Sequence, residues 1–291
     1  MTKVTKAVIP AAGLGTRLLP ATKAIPKELL PIINVPTLQY IVQEAADAGI
    51  KELLIVISKG KEAIGNHFAP SPKLEKELLE KGKLSLLKEI KKISKIIKIK
   101  YVYQDKQLGL GHAIGCARNF AKGQPVAVLL GDDVVVNKGK TALAQCIEAY
   151  NKTKCSVVGV QPVEMKHVSK YGIVTPAKKT DAKKPVFTIK GLVEKPEMSE
   201  APSNLAILGR YVLTPDIYKA IDKTAKDKSG EIQITNALKF LAKKGKVCAC
   251  KFTGTRYDIG NKLGVVKATI DFALKDPEIK ADVLKYIRSK K

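Results

Sequence analysis

The sequence predicts an α/β fold: a central sheet, parallel where it opens, with helices on both faces. Three observations carry this. The chain begins with an apolar run over residues 7–9, a helical pattern over 36–49 and a second apolar run over 52–57. Such a strand–helix–strand succession builds parallel pairs, because parallel neighbours need a crossover between them. A third apolar run, residues 126–130, ends abruptly at Gly131-Asp132-Asp133. Strand and helix signals then alternate to the end, with no low-complexity linker and no internal repeat. The 291 residues are therefore expected to form one domain, with a strand-rich second half from about residue 155.

The first strand starts near Val4 and breaks at Pro10 into Ala11-Ala12-Gly13-Leu14-Gly15-Thr16-Arg17. Ala11, Ala12, Gly13 and Gly15 carry almost no side chain, so backbone N–H groups can approach a ligand closely. Arg17 adds a planar fork of donors suited to phosphate, and Lys27, in Pro26-Lys27-Glu28, adds a compact second cation. A plain glycine-rich turn would show the same glycines. The two cations favour a nucleoside triphosphate site. Two better-known phosphate loops do not fit. The dinucleotide fingerprint requires glycine where Leu18 stands, and the stretch from Gly60 to Gly65 continues with Asn66 and His67 instead of Lys and Ser or Thr.

Pro36 suits a first helical position and Gly49 a C-terminal cap, with Leu38, Ile41, Val42 and Ala45 on one face between them. Residues 71–100 are dense in lysine and glutamate. Leu86, Ile90, Ile93 and Ile97 recur there at helical spacing, and Glu77 precedes Lys81 by four, which predicts one or two amphipathic helices with a solvated face. A strand over 97–103 leads to Gln104 and then to Gly109-Leu110-Gly111-His112-Ala113, expected to be a turn into a helix over 113–121. That turn is either a simple connection or a second loop closing over a base, whose edge Gln104 could read because it both donates and accepts. His112 fits a loop or capping role better than that of a general base.

Adjacent acids after a buried strand stand where α/β sheets place their ligands. A compensating cation would make Asp132 and Asp133 affordable there, and Mg²⁺ with substrate phosphates is the natural one. A surface turn is the alternative. Further strands are expected over 155–161, 171–174, 186–194, 204–213 and 247–251. Helices are expected from Pro215, from Tyr257-Asp258-Ile259-Gly260-Asn261 to about Leu274, and after Pro277.

Composition narrows the class. No apolar run reaches the roughly 18 residues of a membrane helix, and Met1 to Lys6 lead directly into the first strand, so a soluble cytoplasmic protein is expected. The five cysteines include no C-x-x-C pair, which fits buried free thiols rather than a zinc or redox motif. A net charge of +25 suggests nucleic acid. Against that, only five of the 52 basic residues are arginine, lysine is spread along the chain, and tryptophan is absent. No specific nucleic-acid partner is expected, although the field would attract anionic substrates.

Taken together, these stretches resemble the bacterial UTP–glucose-1-phosphate uridylyltransferases over nearly the whole chain. The similarity includes Pro10 to Arg17, Pro26-Lys27-Glu28, Gly109 to Ala113, Gly131-Asp132-Asp133 and Glu194-Lys195-Pro196. It continues through Ala201-Pro-Ser-Asn-Leu-Ala-Ile207, Gly209-Arg210-Tyr211, Gly230-Glu-Ile-Gln233 and Tyr257 to Gly264. The resemblance implies a Rossmann-like nucleotidyltransferase fold with a mixed, mostly parallel sheet. It implies a nucleotide-binding half over about 1–154 and a sugar-binding half over about 155–291.

It also implies Mg²⁺, a homodimer or homotetramer, and the conversion of UTP and glucose 1-phosphate into UDP-glucose and pyrophosphate. Carried over by position, Ala11, Ala12, Gly13, Gln104 and Gly109 would hold the uracil, with Gly15 and Asp133 also on the nucleotide side. Arg17 and Lys27 would bind the triphosphate, and Asp132 and Asp258 would ligate the metal. Gly172 and Glu194 would contact the sugar, and Lys195 its phosphate. Asn236 departs from the aspartate expected in the family, which touches the sugar half or a subunit face rather than the metal chemistry.

Overall fold

The computed structural model describes residues 3–290. In chain order the strands are β1 (Lys6–Pro10), β2 (Pro31–Ile32), β3 (Val35–Pro36), β4 (Glu52–Ile57), β5 (Lys98–Tyr103), β6 (Val126–Leu129) and β7 (Asp133–Val136). They continue with β8 (Ser156–Pro162), β9 (Gly172–Pro176), β10 (Val186–Glu194), β11 (Leu205–Leu213), β12 (Val247–Lys251) and β13 (Thr255–Asp258). Nine of them form one sheet in the order β5-β4-β1-β6-β11-β8-β12-β10-β9.

The first half behaves as the crossover argument requires: β5, β4, β1 and β6 are parallel neighbours. Beyond β6 the sheet is mixed. β11 runs against both β6 and β8, and β10 runs against β12 and β9, while β8 and β12 stay parallel. All nine residues of β11 are buried. A strand buried along its whole length, apolar apart from Arg210, belongs in the interior of a sheet covered on both faces, and here it joins the two halves.

Alternation along β1 divides the core between the two faces. Val8 packs on one side with Ile114, Tyr211 and Leu238, whereas Ala7 and Ile9 pack on the other with Leu38, Ile41 and Leu143. Each fully buried Val, Leu or Ile side chain among them contributes about 1.5–3 kcal/mol of transfer free energy. The helix Thr37–Asp47 presents Leu38, Ile41, Val42 and Ala45 to that core, as its spacing requires. Pro36 precedes it, and Gly49, at φ +87°, turns the chain away after it. The lysine-rich region forms two helices, Pro72–Glu80 and Leu84–Ile93, with the Lys81–Glu77 pair closed at 2.6 Å.

Two local expectations are corrected. The segment at Gly109 is not a loop before a helix: the helix Gly109–Gly115 begins there, and a second, Arg118–Ala121, follows. Gly111 donates its N–H to the Ile232 carbonyl at 2.8 Å, and a Cβ on Gly111 would lie 2.6 Å from that oxygen. The glycines therefore dock the first helical turn on the 231–232 backbone. Second, residues 255–258 are strand, and the helix Lys262–Ala273 starts only after Asn261, whose side chain caps the Gly264 N–H at 2.9 Å. β13 pairs with β7 outside the main sheet, setting Asp258 opposite Asp133.

Candidate active site

β1 lies between β4 and β6, so its C-terminal end opens into the crevice above the middle of the parallel strands. The loop from Pro10 is held from below. Ala11 donates to the Val56 carbonyl at 2.8 Å, and its own carbonyl accepts from Lys61 Nζ at 2.6 Å. The same ammonium donates to the Gly13 carbonyl at 2.6 Å and to both oxygens of Glu28, at 3.1 and 2.9 Å. Gln107 Nε2 donates to the Ala12 carbonyl at 2.9 Å. Gly15, at φ +70°, turns the chain into a short helical turn, Thr16–Leu18, that carries Arg17.

Asp132 stands at the break between β6 and β7. Its Oδ2 accepts from Lys27 Nζ at 2.7 Å and lies 4.0 Å from Arg17 Nη2. Its carbonyl accepts the N–H of Ile259 at 2.8 Å, which draws the end of β13 alongside. Gly260 then marks where the charged groups meet. A Cβ at that residue would lie 2.7 Å from Asp132 Oδ2, 2.9 Å from Arg17 Nη2 and 3.0 Å from Asp258 Oδ1. Gly260→Ala is expected to push these three groups apart, lowering turnover by about a hundredfold with little change in melting temperature. Steady-state kinetics beside a thermal melt would check it.

The charges explain one another. Burial alone would raise the Asp132 carboxyl, but Lys27 and Arg17 outweigh it and hold its pKa below the usual value. Burial likewise opposes the Lys27 charge, and Asp132 and Glu28 more than compensate. Burial pushes Asp133 up to about 6 against the pull of Arg256. Arg256 Nη2 lies 2.5 Å from Asp133 Oδ1, in an orientation that makes an ion pair without an aligned hydrogen bond, and 3.7 Å from Asp258 Oδ2. Its guanidinium also stands 5.2 Å from the Tyr171 ring.

Two adjoining cavities share Arg17, Leu110, Leu130 and Asp132. Ala12, Gly13, Gly15, Lys27, Gln104 and Gly109 line the first. Gly172, Glu194 and Asp258 line the second. Asp133 was expected on the nucleotide side and instead lines this second cavity, because the β7–β13 pairing turns it towards Arg256. Two expected residues line neither. Ala11 is buried beneath the loop. Lys195, at φ +44°, holds its ammonium 3.7 Å from Glu194 Oε1 with the side chain 57% exposed, outside both cavities. Gln104 is buried, with its amide nitrogen 2.8 Å from His112 Nδ1. His112 therefore lies in the helix that carries Gly109, hydrogen-bonded to Gln104 rather than capping a loop.

Comparison with known proteins decides the family. Residues 6–273 match the nucleotidyl transferase family. A UTP–glucose-1-phosphate uridylyltransferase of Bacillus subtilis (strain 168) is 48% identical over 287 residues, covering 99% of this chain and 97% of the relative. A second, from Staphylococcus saprophyticus, is 50% identical over 291 residues, covering 100% and 99%. The chain is a nucleotidyl transferase of the UTP–glucose-1-phosphate uridylyltransferase family. Among solved structures, a UTP-bound UGPase from Acinetobacter baumannii superposes with a TM-score of 0.91 at 36% identity, covering 99% of this chain and 100% of that one. A UDP-glucose pyrophosphorylase complexed with UDP-glucose gives 0.84 at 39% identity, covering 94% and 100%.

Several side chains that shape this transferase site carry no motif of their own. Arg256 sits two residues before Asp258, on the same strand face, a spacing that could have drawn attention to it. Thr235 donates its hydroxyl to Glu194 Oε2 at 2.6 Å across 41 positions of sequence, and no local signal announces that contact. Lys61 follows the C-terminal end of β4, the parallel neighbour of β1. Its place there was the available clue.

Proposed function

We propose that this transferase joins UTP to glucose 1-phosphate, releasing UDP-glucose and pyrophosphate. The observation that carries the reading is the convergence of Arg17, Asp132 and Asp258 beside Gly260, with Arg17 and Asp132 lining both cavities. One cavity then takes the nucleotide and the other the sugar phosphate. An oxygen of the sugar phosphate forms a bond to the α-phosphorus of UTP, and the bond from that phosphorus to the bridging β-oxygen breaks. The nucleophile is already anionic, so no side chain has to remove a proton. The remaining work is alignment of two anions and neutralisation of charge.

Arg17 and Lys27, both beside Asp132, are assigned to the departing pyrophosphate. Glu194, fixed by Thr235, is assigned to the sugar hydroxyls, with Gly172 leaving room for the ring. Gly172 is suited to this, since a Cβ there would lie 3.2 Å from Glu194 Oε2. Among the described residues no three His, Cys, Asp or Glu side chains gather as a self-sufficient metal cage. Two carboxylates at one point, Asp132 and Asp258, fit Mg²⁺, which completes its shell with substrate phosphates and water. Bound there, the ion would supply charge stabilisation for the α-phosphate. The expected homodimer or homotetramer has a candidate surface in Leu263, Val266 and Ile270, exposed at helical spacing along Lys262–Ala273.

Pyrophosphate release across a panel of nucleotides and sugar 1-phosphates, with Mg²⁺ and with a chelator, tests the reading. UTP with glucose 1-phosphate should be the preferred pair, and the chelator should stop the reaction. Faster turnover with dTTP or CTP would overturn the substrate assignment. Lys195 is assigned to the sugar phosphate, reaching it by leaving Glu194. Lys195→Ala should raise the KM for glucose 1-phosphate by roughly 10- to 100-fold, the effect of losing one charge-assisted hydrogen bond. The KM for UTP should change less than twofold, and the reverse pattern would remove Lys195 from the sugar side.

A further inference from the structure

We propose that Lys61 is a positioning residue that aims the backbone of the 11–14 loop at the nucleotide. The proposal rests on the uridylyltransferase reading of the site and adds a residue that reading leaves out. Lys61 is 8% exposed and does not line the cavity that holds Arg17 and Lys27. Its ammonium makes four contacts beneath the loop, with the carbonyls of Ala11 and Gly13 at 2.6 Å each and with the two Glu28 oxygens. A trans peptide is planar and holds its C=O and N–H in opposite directions. Fixing the Ala11 and Gly13 carbonyls on the buried ammonium therefore aims the N–H groups of Ala12 and Leu14 away from it. Ala12 and Leu14 both line the cavity.

The intervening carbonyl, that of Ala12, accepts from Gln107 Nε2. Three successive carbonyls are thus engaged by side chains, while the N–H groups of Ala12, Gly13 and Leu14 have no hydrogen-bond partner among the described residues. A bare run of N–H groups recognises an acceptor-rich ligand, and UTP offers both phosphate oxygens and the carbonyl edge of its uracil. Lys61 also ties two separate blocks together. Glu28 is fully buried and adjoins Lys27, whose ammonium faces Asp132. The bond from Lys61 to Glu28 therefore sets the distance between the loop and the Lys27 cation. The positive charge acts here through the backbone and does not touch the substrate.

Two variants test this, read by UTP affinity in calorimetry and by KM values for both substrates. Lys61→Met should weaken UTP binding at least tenfold and change the KM for glucose 1-phosphate less than twofold. It also leaves Glu28 buried without a partner, so the deciding variant is Lys61→Met/Glu28→Gln, which removes both charges. If Lys61 aims the loop, the double variant folds and still binds UTP at least tenfold more weakly than the wild type. Wild-type UTP affinity in the double variant would overturn the proposal, because Lys61 would then serve only to neutralise Glu28. Equal weakening for both substrates, or failure of the double variant to fold, would overturn it too, making Lys61 a stability residue. A wild-type protein that does not bind UTP would instead overturn the proposed function.

Discussion

Asp132→Ala is expected to lower kcat for pyrophosphate release by about 10³-fold or more and to leave the fold intact. Its carboxylate sits beside Lys27, Arg17 and Asp258, so it neutralises two cations and, on the proposed reading, would be one of two oxygen donors to a metal. Removing one preorganised charge partner from such a site typically costs about 10² to 10³ in rate. Here the loss compounds, because Lys27 is also freed to swing from its place. The stability cost is small by comparison. Lys27 keeps 19% of its side chain exposed and has Glu28 nearby, so losing its partner costs about 1–3 kcal/mol. Asp132→Asn separates charge from size: it preserves the volume and should be nearly as inactive. Single-turnover kinetics with each variant, alongside a melt, checks both halves. Activity within tenfold of wild type in either variant would take Asp132 out of the chemistry.

What could be read from the sequence was what depends on neighbours in sequence. β1, β4 and the helix Thr37–Asp47 were legible because apolar spacing, Pro36 and Gly49 act within one element. The loop after Pro10 was legible because its lack of side chains is itself the signal. The reversed direction of β11 was not, since a strand buried along its whole length has the same burial pattern whichever way it runs. Nor was the pairing of β7 with β13, which spans more than a hundred positions and alone brings Asp258 opposite Asp133. The resemblance supplied Asp258 as a candidate, but the hydrogen bond from Ile259 to Asp132 gives the physical reason the two acids meet. Lys61 was hidden for a different reason. In a chain so rich in lysine, one buried ammonium has no compositional trace until its carbonyl partners are seen.

Arg210→Met should produce the opposite phenotype, a large loss of stability with a modest loss of turnover in the protein that remains folded. Arg210 has no exposed surface and is held through Nε and Nη2 by Glu44, at 3.0 and 2.6 Å. Nη2 also donates to the Asp133 carbonyl at 2.7 Å, and Glu44 Oε1 accepts the Leu143 N–H at 3.0 Å. One guanidinium and one carboxylate thus join β11, β7, the helix Thr37–Asp47 and the helix Ala142–Thr153. A buried pair of this kind adds little net stability over a well-packed apolar pair, because desolvation offsets most of the attraction. Breaking it from one side is another matter. Glu44 would be left charged and unpaired in the core, at a cost of about 3–5 kcal/mol. For a domain of this size that corresponds to a fall in melting temperature on the order of 10 °C. Glu44→Gln/Arg210→Met removes the orphaned charge and should recover most of the loss. If the single and double variants melt at the same temperature, the unpaired Glu44 charge is not the cause, and the destabilisation lies in the lost hydrogen bond to the Asp133 carbonyl instead.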